Sequence, residues 1–86
     1  MKKQLLAVKD IVQITGITTR TLHYYDKINL LKPTCLTDNG YRLYDRNSLA
    51  KLQTILFLKE LDFSLKEITG ILKLSKEEQQ QLLKKA

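Results

Sequence analysis

"VKDIVQITGITTRTLHYYDKI", Val8 to Ile28, carries two runs of helical periodicity joined by one glycine-bearing turn. Val8, Ile11, Val12 and Ile14 recur at helical spacing, and Gly16 stands where a helix can close in a left-handed conformation. Ala7 offers no side-chain acceptor as a cap, although Asp10 in the first turn complements the helix dipole. Thr18 is a good N-cap for a second helix reaching Ile28, and Ile17 before it is placed to staple onto Leu22. Gly16, Ile17 and Thr18 alone link the two helices. That is the short turn of a helix-turn-helix, and helices so joined must cross steeply.

Downstream of Leu30 the pattern changes. Pro33 breaks any helix, and Asp38, Asn39 and Gly40 supply the residues of a hairpin turn. The second arm, Tyr41 to Tyr44, alternates, with Tyr41 and Leu43 on one face and Arg42 and Tyr44 on the other. Asp45 caps a third helix that carries Leu49, Leu52, Ile55, Leu56, Phe57, Leu58 and Leu61. Ile55 to Leu58 is apolar all round, which predicts that this helix is central to the core. Ser64 and Glu67 form a capping box for a fourth helix whose buried face is Ile68, Ile71 and Leu72. Ser75 and Glu78 repeat the box, so a fifth helix is expected to start near Lys76. It offers only Leu82 and Leu83, too little apolar surface to stand alone, which predicts a domain boundary inside a longer element.

On a helical wheel of about 100° per residue, Leu22, with Tyr25 or Asp26 beside it, falls on one side of the second helix. Thr19, Arg20, His23, Tyr24 and Lys27 fall on the other. Solvated helix faces usually mix acids with bases, and this stripe has no acid. Such a face on the second helix of a tight helix-turn-helix suits the DNA major groove, where side chains meet phosphates and base-edge acceptors. Tyr25 borders the buried face and could equally roof the core.

Composition points the same way. The 86 residues suffice for one domain, and the formal charge of +6, from 15 Lys and Arg against 9 Asp and Glu, favours a polyanionic partner. Nucleic acid leads and an acidic membrane surface follows. A single cysteine, Cys35, can form neither an internal disulfide nor a zinc or redox motif. His23 lacks a second histidine or a nearby acid with which to bind metal or act in catalysis. No cofactor is expected. The start, MKKQLLAV, is cut by Lys9 and Asp10 before it reaches the length of a leader, and no stretch approaches the roughly 20 apolar residues of a membrane span. The expected location is the cytoplasm.

"TGITTRTLHYYDKINLLKP", "NGYRLYD" and "LQTILFLKELDFSLKEITGIL" resemble the N-terminal DNA-binding domain of MerR-family transcription regulators over about Leu5 to Leu72. The resemblance implies a mainly α, winged helix-turn-helix fold. The helix-turn-helix would occupy about 8–28, a small β-hairpin wing about 30–44, and further helices about 46–61 and 65–73. Residues 75–86 would open a dimerisation helix. It also implies a homodimer in the full-length protein that binds pseudo-palindromic promoter DNA, acts on RNA polymerase indirectly by untwisting the promoter, and responds to an effector through a downstream region. Carried over by position, the recognition-helix contacts fall on Thr19, Arg20, His23 and Tyr24, with Tyr25 and Lys27 near the backbone. The wing contacts fall on Tyr41 and Arg42, and Lys59 matches a lysine gripping DNA near the operator centre. His23 stands where many members have arginine, and Cys35 and Leu36 where many wings are basic. "RTLHYYD" with "LTDNGYRLY" looks most like the drug-sensing branch.

Two other readings share this fold. One is a stand-alone excisionase-like or architectural DNA-binding protein; the other is a protein-interaction module that has lost DNA binding, since fold does not fix function. The second predicts a stripe that has lost its cations or gained acids, which this one has not. An enzyme is not expected, because no pair of titratable groups stands at catalytic spacing.

Overall fold

The computed structural model describes residues 4–74 and Glu78. The element order is β1 (Leu6–Ala7), α1 (Val8–Thr15), α2 (Thr19–Lys27), β2 (Cys35–Leu36), β3 (Arg42–Tyr44), α3 (Arg46–Glu60) and α4 (Leu65–Leu72). The chain divides into two compact units, residues 1–54 and 55–86. The fifth helix expected from Ser75 onward lies, apart from Glu78, outside the described residues.

In the first unit, Gly16 closes α1 at φ 79°, and its N–H donates to the Val12 carbonyl. The left-handed value is the one that the absence of a Cβ makes easy. Thr18 then caps α2, its Oγ accepting from the Thr21 N–H at 3.0 Å. Ile11, Ile17, Leu22 and Tyr25 are buried, so the two helices close over one apolar centre. At the far end of α2, Asn29 adopts φ 62°, a conformation that asparagine tolerates better than most residues. The reversal lets the Leu30 and Leu31 N–H groups both donate to the Tyr25 carbonyl and turns both leucines inward.

The wing is larger than a hairpin. β3 is the middle strand of an antiparallel three-stranded sheet, ordered β1-β3-β2. Leu6 pairs with Tyr44 and Ala7 with Leu43 on one side, and Cys35 pairs with Leu43 and Leu36 with Arg42 on the other. The first strand has two residues and no alternation to betray it, and it exists because β3 offers a free edge. The turn forms as its residues predict: the Gly40 N–H donates to the Thr37 carbonyl, and Gly40 takes φ 83°. Tyr44 is buried while Tyr41 is exposed, which follows the predicted alternation. Thr34 joins the start of the wing to the start of α3, because its Oγ accepts the Asp45 N–H at 2.9 Å. Asp45 in turn caps α3 by accepting from the Ser48 N–H at 2.8 Å.

The second unit holds the end of α3, a turn and α4. Asp62 adopts φ 67° after α3, and the Phe63 N–H returns to the Leu58 carbonyl. Ser64 and Glu67 form the expected capping box, with Ser64 N–H to Glu67 Oε at 2.9 Å and Glu67 N–H to Ser64 Oγ at 3.1 Å. The Ser64 N–H, and after it the Ser64 hydroxyl, stabilise the carboxylate and hold the Glu67 carboxyl below its ordinary value. Ile55, Leu58, Ile68 and Ile71 are buried. Phe57, which lies inside the all-round apolar run, and Leu61 are exposed by 49% and 47%. A helix has only one buried stripe, and this pair, four residues apart, shares the opposite side.

Leu22 is fully buried, and Leu22→Ala is expected to lower stability by about 2–5 kcal/mol. The buried hydroxyl of Tyr44 has no hydrogen-bond partner among the described residues, so Tyr44→Phe is expected to cost less than about 1 kcal/mol or to stabilise. Urea titrations of both variants read the two values directly.

Candidate nucleic-acid interface

α2 is positioned by its buried side. Leu22 and Tyr25 anchor it, and burial pushes the Tyr25 phenol above its ordinary value. Of the two positions open to Tyr25, the structure places it in the core, at 4% exposure. Its ring lies 6.4 Å from that of Tyr24, tilted by 49°. Tyr24 itself is about half exposed, Thr19, Arg20 and Lys27 are exposed, and His23 is half-buried. The stripe read from the helical wheel therefore exists as a surface. Arg20 and Lys27 make no ion pair with any described residue.

Asp26 explains where the acid of this helix has gone. The wheel sets it beside Leu22, and its carboxylate bridges two cations. Arg42 Nε donates to Oδ2 at 2.8 Å, and Lys32 Nζ approaches Oδ1 at 3.1 Å. The hydrogen bond from Arg42 is the main reason that the Asp26 carboxyl lies below its ordinary value. Lys32 adds to it, and partial burial opposes both. This bridge ties the recognition-helix candidate to the middle strand of the wing. Arg42 had been nominated for a partner outside the protein; here its Nε is occupied, and a third of the side chain remains in solvent. The signal was present in the strand alternation, because Arg42 shares a face with the buried Tyr44 and α2 carries a single acid.

The two nominated groups meet across an open groove of about 710 Å³. Thr19 and His23 line it from α2, Tyr41 and Arg42 from the wing, and Val8 and Lys9 from the start of α1. None of the residues that line it is acidic. Tyr41, 70% exposed, stands at its wing side. Arg20, Tyr24 and Lys27 do not line this groove; they lie on the same helix outside it. Lys59 is exposed in the last turn of α3 and belongs to the second unit. Lys9 escaped notice in the sequence, since a lysine in the first turn of a first helix carries no motif. Among the described residues, no helix is long and apolar enough to cross a membrane.

Comparison with known proteins bears on this arrangement. Residues 6–75 match the family model described as MerR HTH family regulatory protein. The HTH-type transcriptional activator mta of Bacillus subtilis (strain 168) is 54% identical over 65 residues, which are 76% of this chain and 25% of that protein. The HTH-type transcriptional activator TipA of Streptomyces coelicolor is 42% identical over 66 residues, 77% of this chain and 26% of that one. The chain thus spans about a quarter of the length of these relatives. Among solved structures, the N-terminal part of the Bacillus subtilis multidrug transporter activator, MtaN, matches with a TM-score of 0.78 and 44% identity, covering 93% of this chain and 82% of that one. EcmrR in complex with DNA matches with a TM-score of 0.74 and 34% identity, covering 93% and 32%.

The Asp26 bridge has a measurable pH signature. Its pKa is depressed in the folded state, so its contribution to stability is complete above the unfolded value of about 3.9 and is lost as pH falls through the lower folded value. Asp26→Asn is expected to lower stability at neutral pH by about 1–2 kcal/mol, the partial exposure of Arg42 keeping the cost moderate. The variant should also lose less of its remaining stability than the parent as pH falls from neutral through the unfolded carboxylate value of about 3.9 and below it. Thermal melts across that range compare the two slopes.

Proposed function

The chain belongs to the MerR HTH family of regulatory proteins, and from that premise we propose that it is the DNA-reading domain of a transcriptional regulator. What supports the reading is the groove in which an acid-free helix face and the wing confront one another, with the lone acid of α2 turned aside into the Arg42 bridge. α2 enters the major groove of promoter DNA. Arg20, Thr19, His23 and Tyr24 reach base edges and nearby phosphates, and Lys27 meets the backbone. Tyr25, nominated for the backbone, supports Tyr24 from beneath. Tyr41 and Arg42 hold the flanking strand from the wing, and Lys59 adds a phosphate contact from the second unit. The domain comprises residues 5–72, and residues from Ser75 onward open the dimerisation helix.

Two copies are needed, because a pseudo-palindromic operator presents two half-sites and a two-fold pair of recognition helices must match their spacing. The regulator acts on RNA polymerase indirectly, by changing the twist of the promoter spacer. Such a deformation has to be offset by contacts at both half-sites. The site of action is the cytoplasm, and the regulator works without a resident cofactor. The architectural and protein-interaction alternatives have less to recommend them, since among the described residues Arg20 and Lys27 have no acidic partner.

A gel shift against a duplex taken from its own promoter region tests the reading. If several phosphates are neutralised, log affinity falls nearly linearly with log salt, at a slope of roughly 0.9 per phosphate. An affinity that barely moves between low and physiological salt would sink it. Arg20→Ala is expected to weaken specific binding by about 1–3 kcal/mol where the contact is bidentate to guanine, with the melting curve unchanged.

A further inference from the structure

The groove has a third wall that neither α2 nor the wing supplies. Val8 and Lys9, in the first turn of α1, line it together with Thr19, His23, Tyr41 and Arg42. Lys9 is exposed and makes no ion pair with any described residue. The only acid in that turn, Asp10, is engaged elsewhere: its carboxylate accepts the Ala7 N–H at 3.0 Å, and it does not line the groove. Arg42, the other strong cation of the groove, shares its charge with Asp26. The uncompensated positive charge of the groove therefore resides on Lys9.

We propose that Lys9 is a DNA-backbone contact, and that the groove between the start of α1, the start of α2 and the wing holds a phosphate that Lys9 neutralises. The proposal rests on the DNA-binding reading above and adds to it a contact from a third element. Charge complementarity fixes the occupant. A wall free of carboxylates, with an ammonium that pairs with no described residue and one arginine held at its Nε, suits a phosphodiester, and its charge alone would also attract an acidic peptide. What separates the two is spacing: a duplex strand presents a charge at regular intervals, so the same strand can meet Lys9 in the groove and Lys27 or Arg20 on the helix outside it. A lysine contact of this kind positions the protein and reads no sequence.

Fluorescence anisotropy with a labelled duplex from the promoter region, and with a random-sequence duplex of equal length, tests it in the parent, in Lys9→Gln and in Lys51→Gln. Lys51 is exposed on α3, does not line the groove and serves as a control for the loss of one charge anywhere on the surface. Lys9→Gln is expected to reduce the salt slope by roughly 0.9 and to weaken binding to both duplexes by roughly five- to tenfold at about 0.1 M salt. The ratio between the duplexes should hold, and so should the melting temperature. Lys51→Gln should leave slope and affinity near those of the parent. Equal behaviour of the two variants overturns the proposal while leaving the DNA reading intact. A Lys9→Gln effect confined to the promoter duplex overturns it as well, because the contact would then read sequence. A parent that binds neither duplex removes both the DNA reading and this one.

Discussion

One carboxylate organises the face of the first unit. Asp26 holds Arg42 from the middle strand of the wing and Lys32 from the segment between α2 and the wing. Apolar packing resists separation but is indifferent to small rotations. A hydrogen-bonded ion pair is directional, so it sets the angle as well as the distance. The same bridge removes the single acid of α2 from the surface on which a polyanion would lie.

Neutralising a cation on a basic surface looks wasteful for a face proposed to meet DNA. Its value lies in preorganisation: a wing already aligned with the helix loses less conformational freedom when a duplex arrives. A third of the Arg42 side chain remains in solvent while its Nε is given to Asp26. Its guanidinium has several donors, so one side chain can brace the wing and still present donors outward.

Much of this was legible in the sequence, and the parts that were not share a cause. Gly16, Thr18, Asp45 and the Ser64–Glu67 pair gave helix boundaries directly, because capping depends on atoms within four residues of one another. The wing turn was legible for the same reason. β1 was not, since a two-residue strand is specified entirely by its distant partner, Leu43 and Tyr44. The outward turn of Phe57 was not legible either, because the all-round apolar run from Ile55 to Leu58 has no periodicity to say which members face out. At the candidate site, the stripe of α2 could be read from helical spacing alone. The Asp26–Arg42 bridge joins residues 16 positions apart, and Lys9 reaches the groove only through the crossing of α1 and α2. Tertiary neighbours of that kind leave no local pattern.

Ala7 ends a strand and caps a helix at once: it pairs with Leu43 in the sheet, and its N–H is taken by the carboxylate of Asp10 in α1. With no residue between β1 and α1 to absorb a shift, a slip of the strand by one position would put a different residue at the helix start and pull the cap apart. Sheet and first helix consequently form and open as one cooperative block, instead of as a helix with a loosely attached edge. Local fraying, to which a strand of two residues would otherwise be prone, is coupled to the loss of a whole helix, and the groove wall that α1 contributes inherits that resistance.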